Sequence, residues 1–171
     1  YGPKLEFNLR DSLGRVWQCG TVQLDFSMPD RLGATYINQN GEKAVPVMLH
    51  RAILGSLERF FGITIENTGG WLPLWMVSTQ VVVTGIGDKH RAYAQKVCDD
   101  LKRRGIRVQH DQRPEKIGYK IREHTLAKVP YVVIIGDQEV ENSVISVRGA
   151  HGDKHDGVKP EVLVDLIQTG K

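Results

Sequence analysis

Cysteine is scarce in this chain of 171 residues: there are two, Cys19 and Cys98, far apart and without CxxC spacing. That spacing argues against a disulfide framework and a self-contained zinc knuckle, and two isolated thiols suit a reducing compartment. No apolar run reaches a membrane-spanning length and no charged-then-apolar leader opens the chain, so a soluble protein is expected. A P-loop and a GxGxxG turn are missing, which removes the familiar self-contained nucleotide sites. Internal repeats and low-complexity segments are missing too. Charge of one sign is not in large excess, the net charge being only +3. Such a balance permits an RNA partner without demanding one, because a basic footprint is recognised by clustering rather than by total. One cluster exists, Lys102-Arg103-Arg104 with Arg107. Runs of this kind commonly form the solvated end of a helix, where they complement its dipole. What the chain does have is 40% hydrophobic residues, enough for the core of one medium domain or two small ones.

The periodicity divides the chain. Leu5, Phe7 and Leu9 alternate with Glu6, Asn8 and Arg10, turn residues follow at Asp11 to Gly14, and Val16 to Phe26 reads as a second strand of an antiparallel hairpin. Residues 27–43 are turn-rich. Val45, Val47, Leu49 and Ile53 then alternate with Met48, His50, Ala52 and Leu54, which predicts a strand. Gly55-Ser56 interrupts it, with Ser56 placed to cap a helix running to about Glu66 and ended by Asn67-Thr68-Gly69-Gly70. From Ser78 the rhythm becomes α/β. Strands are expected at 80–84, 106–110, 131–135 and 144–148, with a helix carrying Tyr93, Val97 and Leu101 on one face and ended by Gly105, another at 116–128 with Ile117 and Ile121 inward, and a last one after Pro160. Residues 151–157 read as a polar loop. The domain boundary is placed near Val77.

Three features carry chemistry on their own terms. Arg59 sits in the first turn of a helix directly beyond a strand, where its planar fork can meet a phosphate or carboxylate, or else form a surface ion pair. On the second strand, Cys19, Thr21, Gln23 and Asp25 share one face by simple alternation. Small neutral hydrogen-bonding groups suit a ligand cleft, although a solvated face or a buried polar ladder would look the same. His50 stands on an otherwise apolar strand face, as a satisfied core histidine or as a ligand.

The motif VPVMLHRAILGSLERF, the upstream QCGTVQLDF, the opening YGPK and the later EKIGYKIREHTL together resemble the threonyl-tRNA synthetase family of class II aminoacyl-tRNA synthetases. The strand–Gly-Ser–helix unit is similar to motif 3 of that class, and the resemblance runs from Tyr1 to about Arg148 with a looser tail. It implies an α/β protein, α+β overall. Residues 1–77 would be the end of an antiparallel class II catalytic sheet, and residues 78–171 a mixed five-stranded anticodon-binding domain.

The same resemblance assigns roles. Arg59 matches the arginine that grips the γ-phosphate of ATP, delivered with Mg2+. Gln18 approaches the adenylate, and Lys4 lies where the family has a cleft lysine. Tyr1, Thr21, Gln23 and Ser56 match the threonine and adenylate pocket. His50 matches one of three zinc ligands, the other two being an upstream cysteine and histidine. The metal has a chemical reason: threonine and valine have nearly one shape, and a zinc ion with an open position can take the hydroxyl that valine lacks. Glu139 and Arg148 match residues that touch anticodon bases, with Lys116 at the corresponding loop–helix junction. Pro114 departs from the family by replacing a base-contacting asparagine, and Ser78 replaces a proline common in the linker.

Two functions from different classes follow. The first is a piece of a threonine–tRNA ligase with tRNA-Thr, ATP and threonine as partners, a homodimeric parent and a cytoplasmic location. The second is a non-catalytic anticodon-type RNA-binding module. Motifs 1 and 2 lie upstream in the family and Tyr1 is not a methionine. Further sequence or processing is therefore expected, and this piece alone is expected to be inactive and to hold zinc poorly.

Overall fold

Alternation of apolar and polar residues in 4–10 and 16–25 produces the hairpin it predicts. In the computed structural model, which describes residues 2–169, β1 (Lys4–Arg10) pairs antiparallel with β2 (Val16–Asp25). Asp11 closes the connection, its carboxylate accepting from the backbone N–H groups of Leu13 and Arg15. The Trp17 indole N–H also donates to it at 2.9 Å, and with Arg15 this holds Asp11 down to about 2. Next come a four-residue helix α1 (Met28–Arg31) and a two-stranded ribbon, β3 (Tyr36–Ile37) with β4 (Lys43–Ala44), in the stretch read as turns. β5 (Met48–Ala52) pairs antiparallel with β2, giving the sheet order β1-β2-β5. α2 (Leu57–Thr68) begins at Ser56, whose hydroxyl accepts from the Arg59 N–H at 3.1 Å, and ends at Gly69 in the left-handed conformation.

The later half is built on β6 (Val81–Gly85), α3 (Arg91–Arg103), β7 (Val108–Asp111), α4 (Ile117–Leu126), β8 (Tyr131–Ile135), α5 (Asp137–Asn142), β9 (Ile145–Gly149), β10 (Lys154–Val158) and α6 (Pro160–Thr169). Its five strands run in the order β10-β9-β8-β6-β7. β7, β6 and β8 are parallel, and β9 and β10 add antiparallel at one edge. Val81, Val83, Val133, Ile135, Ile145 and Val147 form one core with Ala94, Val97 and Leu101 of α3 and Leu163, Val164 and Ile167 of α6. Three sequence expectations need correction here. Residues 151–157 are not a loop throughout, since β10 takes in Lys154 to Gly157. α5 was not anticipated. The buried positions of α4 are Lys120 and His124, while Ile117 and Ile121 are only half-buried.

By contacts the chain forms two units, one ending at Gly70 and the other beginning at Trp71. The Trp71–Trp75 connector goes with the second. Arg107 donates to the carbonyls of Leu74, Trp75 and Val77, and the Gln80 amide donates to Leu74. Among the described residues every buried hydrophobic side chain lies between Val81 and Ile167.

Candidate functional site

Strand register assembles the first unit's polar residues into rows. Lys4 lies opposite Gln23, and Gln23 opposite His50; Glu6 lies opposite Thr21, and Thr21 opposite Ala52. A bulge falls between Phe7 and Asn8, so that Gly20 pairs with Phe7 but Gln18 pairs with Asn8, leaving Cys19 without a partner on β1. The extra residue shifts the alternation. It corrects the simple reading of the face: Gln18, not Cys19, joins Thr21 and Gln23. The Gln18 amide donates to Glu6 Oε1 at 3.1 Å, and Lys4 Nζ meets the same oxygen at 2.5 Å. Lys4, Glu6, Gln18, Thr21, Gln23 and His50 thus occupy one face. Tyr1 lies outside the described residues.

The turn after β5 is held against that bulge. Gly55 has φ +76, and a Cβ there would come within 3.2 Å of the carbonyl oxygens of both Gln18 and Cys19. Only glycine takes that conformation and that approach without cost. Ser56 then caps α2 with its hydroxyl, and Arg59 Nη1 donates to the Gln18 carbonyl at 2.5 Å. The arginine fork is anchored by one nitrogen at the end of the polar face, with Ser56 engaged in capping.

His50 meets the only charged side chain buried in this unit among the described residues. Its Nε2 lies 2.9 Å from Asp25 Oδ2, the imidazole being 45% exposed and the carboxylate 1%. Asp25 Oδ1 accepts from the Met28 and Ser27 N–H groups and the Ser27 hydroxyl. Donation from Met28, then from His50 and Ser27, holds Asp25 well below the usual carboxylate range. Among the described residues no three His, Cys, Asp or Glu side chains converge as a metal site. What this face offers a metal is one coordination position, the second nitrogen of His50, backed by a carboxylate in the way metal-ligating histidines usually are.

The second unit brings Glu139 and Arg148 together and leaves Lys116 apart. Glu139, Arg148, Gln138, Asn142, Ser146 and Asp156 line an open cleft of about 370 Å³ formed by α5, β9 and β10. Arg148 Nη1 meets Asp156 Oδ1 at 2.5 Å. Both Glu139 oxygens are engaged, one by the Ser146 hydroxyl at 2.7 Å and one by the Gly136 N–H at 2.8 Å. Burial opposes its ionisation, but these donors prevail and lower its pKa. Lys116 lies with Pro114 on a different cleft of about 320 Å³, at the ends of β6 and β7. Beneath it Asp111 is saturated by a forked ion pair with Arg113 and by His124, while Lys120 reaches Thr84.

Sequence reasoning missed Asp156, Gln138 and Asn142 because it saw neither β10 nor α5. It gave Asp25 a place on the face but no partner, and the contact with His50 joins strands distant in sequence. An acidic residue two positions before Ser27-Met28-Pro29, the start of a short helix, is the available signal for a carboxylate turned back onto backbone N–H groups.

A family model described as tRNA synthetase class II core domain (G, H, P, S and T) matches residues 1–68, and one described as anticodon binding domain matches residues 80–170. The class is therefore that of the class II aminoacyl-tRNA synthetases that carry such a domain. The threonine–tRNA ligase of Francisella philomiragia subsp. philomiragia is 60% identical over 153 residues, 90% of this chain and 24% of that protein. That of Nitrosomonas eutropha is 56% identical over 168 residues, 98% of this chain and 26% of that protein. The RNA-binding domain of threonyl-tRNA synthetase from Cryptosporidium parvum Iowa II, a crystal structure, superposes with a TM-score of 0.85 at 36% identity, over 99% of this chain and 43% of that one. The chain belongs to the threonine–tRNA ligase family. It spans about a quarter of the length of the curated relatives it matches.

Proposed function

We propose that this chain supplies a threonine–tRNA ligase with one wall of its catalytic cleft and with its anticodon-reading domain. One observation carries the reading: the face of Lys4, Gln18, Thr21, Gln23 and His50 ends at the capped first turn of α2, where Arg59 is anchored on the Gln18 carbonyl. On this reading Thr21 and Gln23 offer neutral donors and acceptors to threonine, with Tyr1 and Ser56 completing that pocket. Gln18 and Lys4 flank the adenylate, and the free edge of the Arg59 guanidinium meets the ATP phosphates brought in with Mg2+. His50 fills one position on a zinc ion, whose open site would accept the hydroxyl that separates threonine from valine. The remaining ligands and the phosphate contacts of a complete site come from the rest of a homodimeric enzyme acting in the cytoplasm.

Arg148 and Glu139 read anticodon bases of tRNA-Thr from their shared cleft, and Lys116 contributes from a separate one. Arginine donates to carbonyl and ring-nitrogen acceptors, and a carboxylate accepts from amino and imino groups. Arg148→Ala should weaken cognate tRNA more than a mismatched one, by about 1–3 kcal/mol on the scale known for base readout. Neutralising Lys102, Arg103 and Arg104 should weaken both alike and flatten the salt dependence. The measurement is tRNA affinity at several salt concentrations, and equal losses for Arg148→Ala would reduce its role to backbone attraction.

A second reading, a non-catalytic RNA-binding module, is favoured by the confinement of the buried hydrophobic core, among the described residues, to the second unit. Threonine-dependent pyrophosphate exchange by the complete parent separates the two. Exchange that is lost in Arg59→Ala supports the ligase, and tRNA binding without any exchange supports the module.

A further inference from the structure

The Asp25–His50 pair does more than join two strands. Asp25 is fully buried, and its Oδ1 is occupied by three donors: the Ser27 N–H at 2.9 Å, the Met28 N–H at 3.0 Å and the Ser27 hydroxyl at 3.1 Å. The carboxylate therefore cannot turn, and Oδ2 points at the His50 ring, 2.9 Å from Nε2. An ionised carboxylate can only accept, so the ring nitrogen facing it must carry a proton. The imidazole is about half-exposed, and among the described residues nothing hydrogen-bonds to its other nitrogen.

We infer that Asp25 is a positioning residue that fixes neutral His50 as the Nε2–H tautomer, presenting the Nδ1 lone pair as an electron donor on the face shared with Thr21 and Gln23. The tautomer claim stands on the geometry of this chain; its use toward a borderline divalent cation such as zinc rests on the proposed role of His50. The histidine is thus set for coordination before any metal arrives. Lys4 and Gln23 share its lateral row and Met48 and Ala52 flank it on β5, and among the described residues Asp25 is the only acid within ion-pair distance of the ring.

The test is nitrogen-15 NMR of the His50 ring in the whole chain at pH 8, where an ordinary imidazole is neutral. The expected wild-type spectrum shows a protonated Nε2 and an unprotonated Nδ1. Asp25→Asn should reverse the pattern. Its amide oxygen can keep the Ser27 and Met28 donors, its NH2 then faces Nε2, and the proton moves to Nδ1. A wild-type spectrum with Nδ1 protonated overturns the proposal, and this result needs no variant to fold. An unchanged Nε2–H form in a folded Asp25→Asn chain overturns it as well. In the complete parent, zinc affinity should fall by about 10–100-fold in Asp25→Asn, the usual scale for such supporting residues. If the tautomers behave as expected but added zinc never perturbs Nδ1, the metal role of His50 fails and the positioning role stands.

Discussion

At the scale of single residues, the decisive positions are those where backbone and side chain leave no alternative. Gly55 is one. Its left-handed backbone and its approach to two carbonyl oxygens make any side chain costly, about 1–2 kcal/mol for the conformation alone. Gly55→Ala should therefore lower stability by at least that amount and loosen Arg59 from Gln18. Denaturant melts of the whole parent check the first, and pyrophosphate exchange the second. Asp111 is another, buried with Arg113 forked on its carboxylate and His124 at 2.8 Å. The Arg113 hydrogen bond, with His124 adding to it, lowers its pKa well below the ordinary value. A depressed carboxylate stabilises the fold fully above its unfolded pKa, near 4, and that stability drains away as pH falls below it. Melting of the second unit between pH 6 and pH 3 should show this loss, and Asp111→Asn should flatten the profile while lowering stability at neutral pH by about 1.5–3 kcal/mol. Ser56 as a cap was legible because capping is local in sequence. The partner of Asp25 was not, because it depends on which strands pair.

Among elements, β2 and β8 follow directly from their alternation and apolar runs, whereas β10 and α5 do not. β10 reads Lys-His-Asp-Gly-Val, with a glycine and no apolar face, and exists because β9 offers it an edge. α5 has six residues, too few to show a helical period, and is set by the Glu139 carboxylate returning to the Gly136 N–H. The buried face of α4 is likewise illegible to hydrophobic pattern, since Lys120 and His124 are buried by their polar partners. The Cys19 bulge cannot be read from β2 alone, because it belongs to the pairing. These elements create the cleft at Glu139, so the residue's two roles must be separated. Glutamine also serves at the third position of a capping box. Glu139→Gln should thus keep α5 and the melting temperature while reducing cognate tRNA affinity, whereas Glu139→Ala should lose both. Full cognate affinity in Glu139→Gln would leave the glutamate as a cap only. Asp156→Asn should tighten tRNA binding by releasing Arg148 from its ion pair, and unchanged affinity would show that the pair does not compete with RNA.

For the whole chain, the two units differ in what holds them. Among the described residues the second carries all the buried hydrophobic side chains, on a sheet whose parallel strands are covered by helices. In the first, Gly20, Asp25 and Pro29 are the only buried positions among the described residues, and Leu5, Phe7, Leu9, Leu49 and Ile53 remain more than half exposed. A three-stranded sheet with bare apolar surface and two open edges is marginal alone and prone to pairing with other chains. The alternation in 1–54 gives strands with an apolar side, but a sequence pattern does not say whether anything covers it; the bare faces and edges are expected only from the resemblance, since the family's catalytic sheet has further strands. Limited proteolysis should therefore cut within the first unit and leave the second intact. The sequence rhythm changes at Ser78, but the resistant fragment should begin earlier, between Gly69 and Leu74. Arg107 ties the carbonyls of Leu74, Trp75 and Val77 to the second unit, and Leu74 packs against its core. Arg107→Ala should move the cleavage limit forward to about Val77 by freeing that connector. Mass spectrometry of the resistant product reads the boundary directly. A fragment starting at Val77 in the wild type would show that the arginine contacts do not hold the connector, and survival of residues 2–70 with digestion of the rest would reverse the assignment of stability between the units.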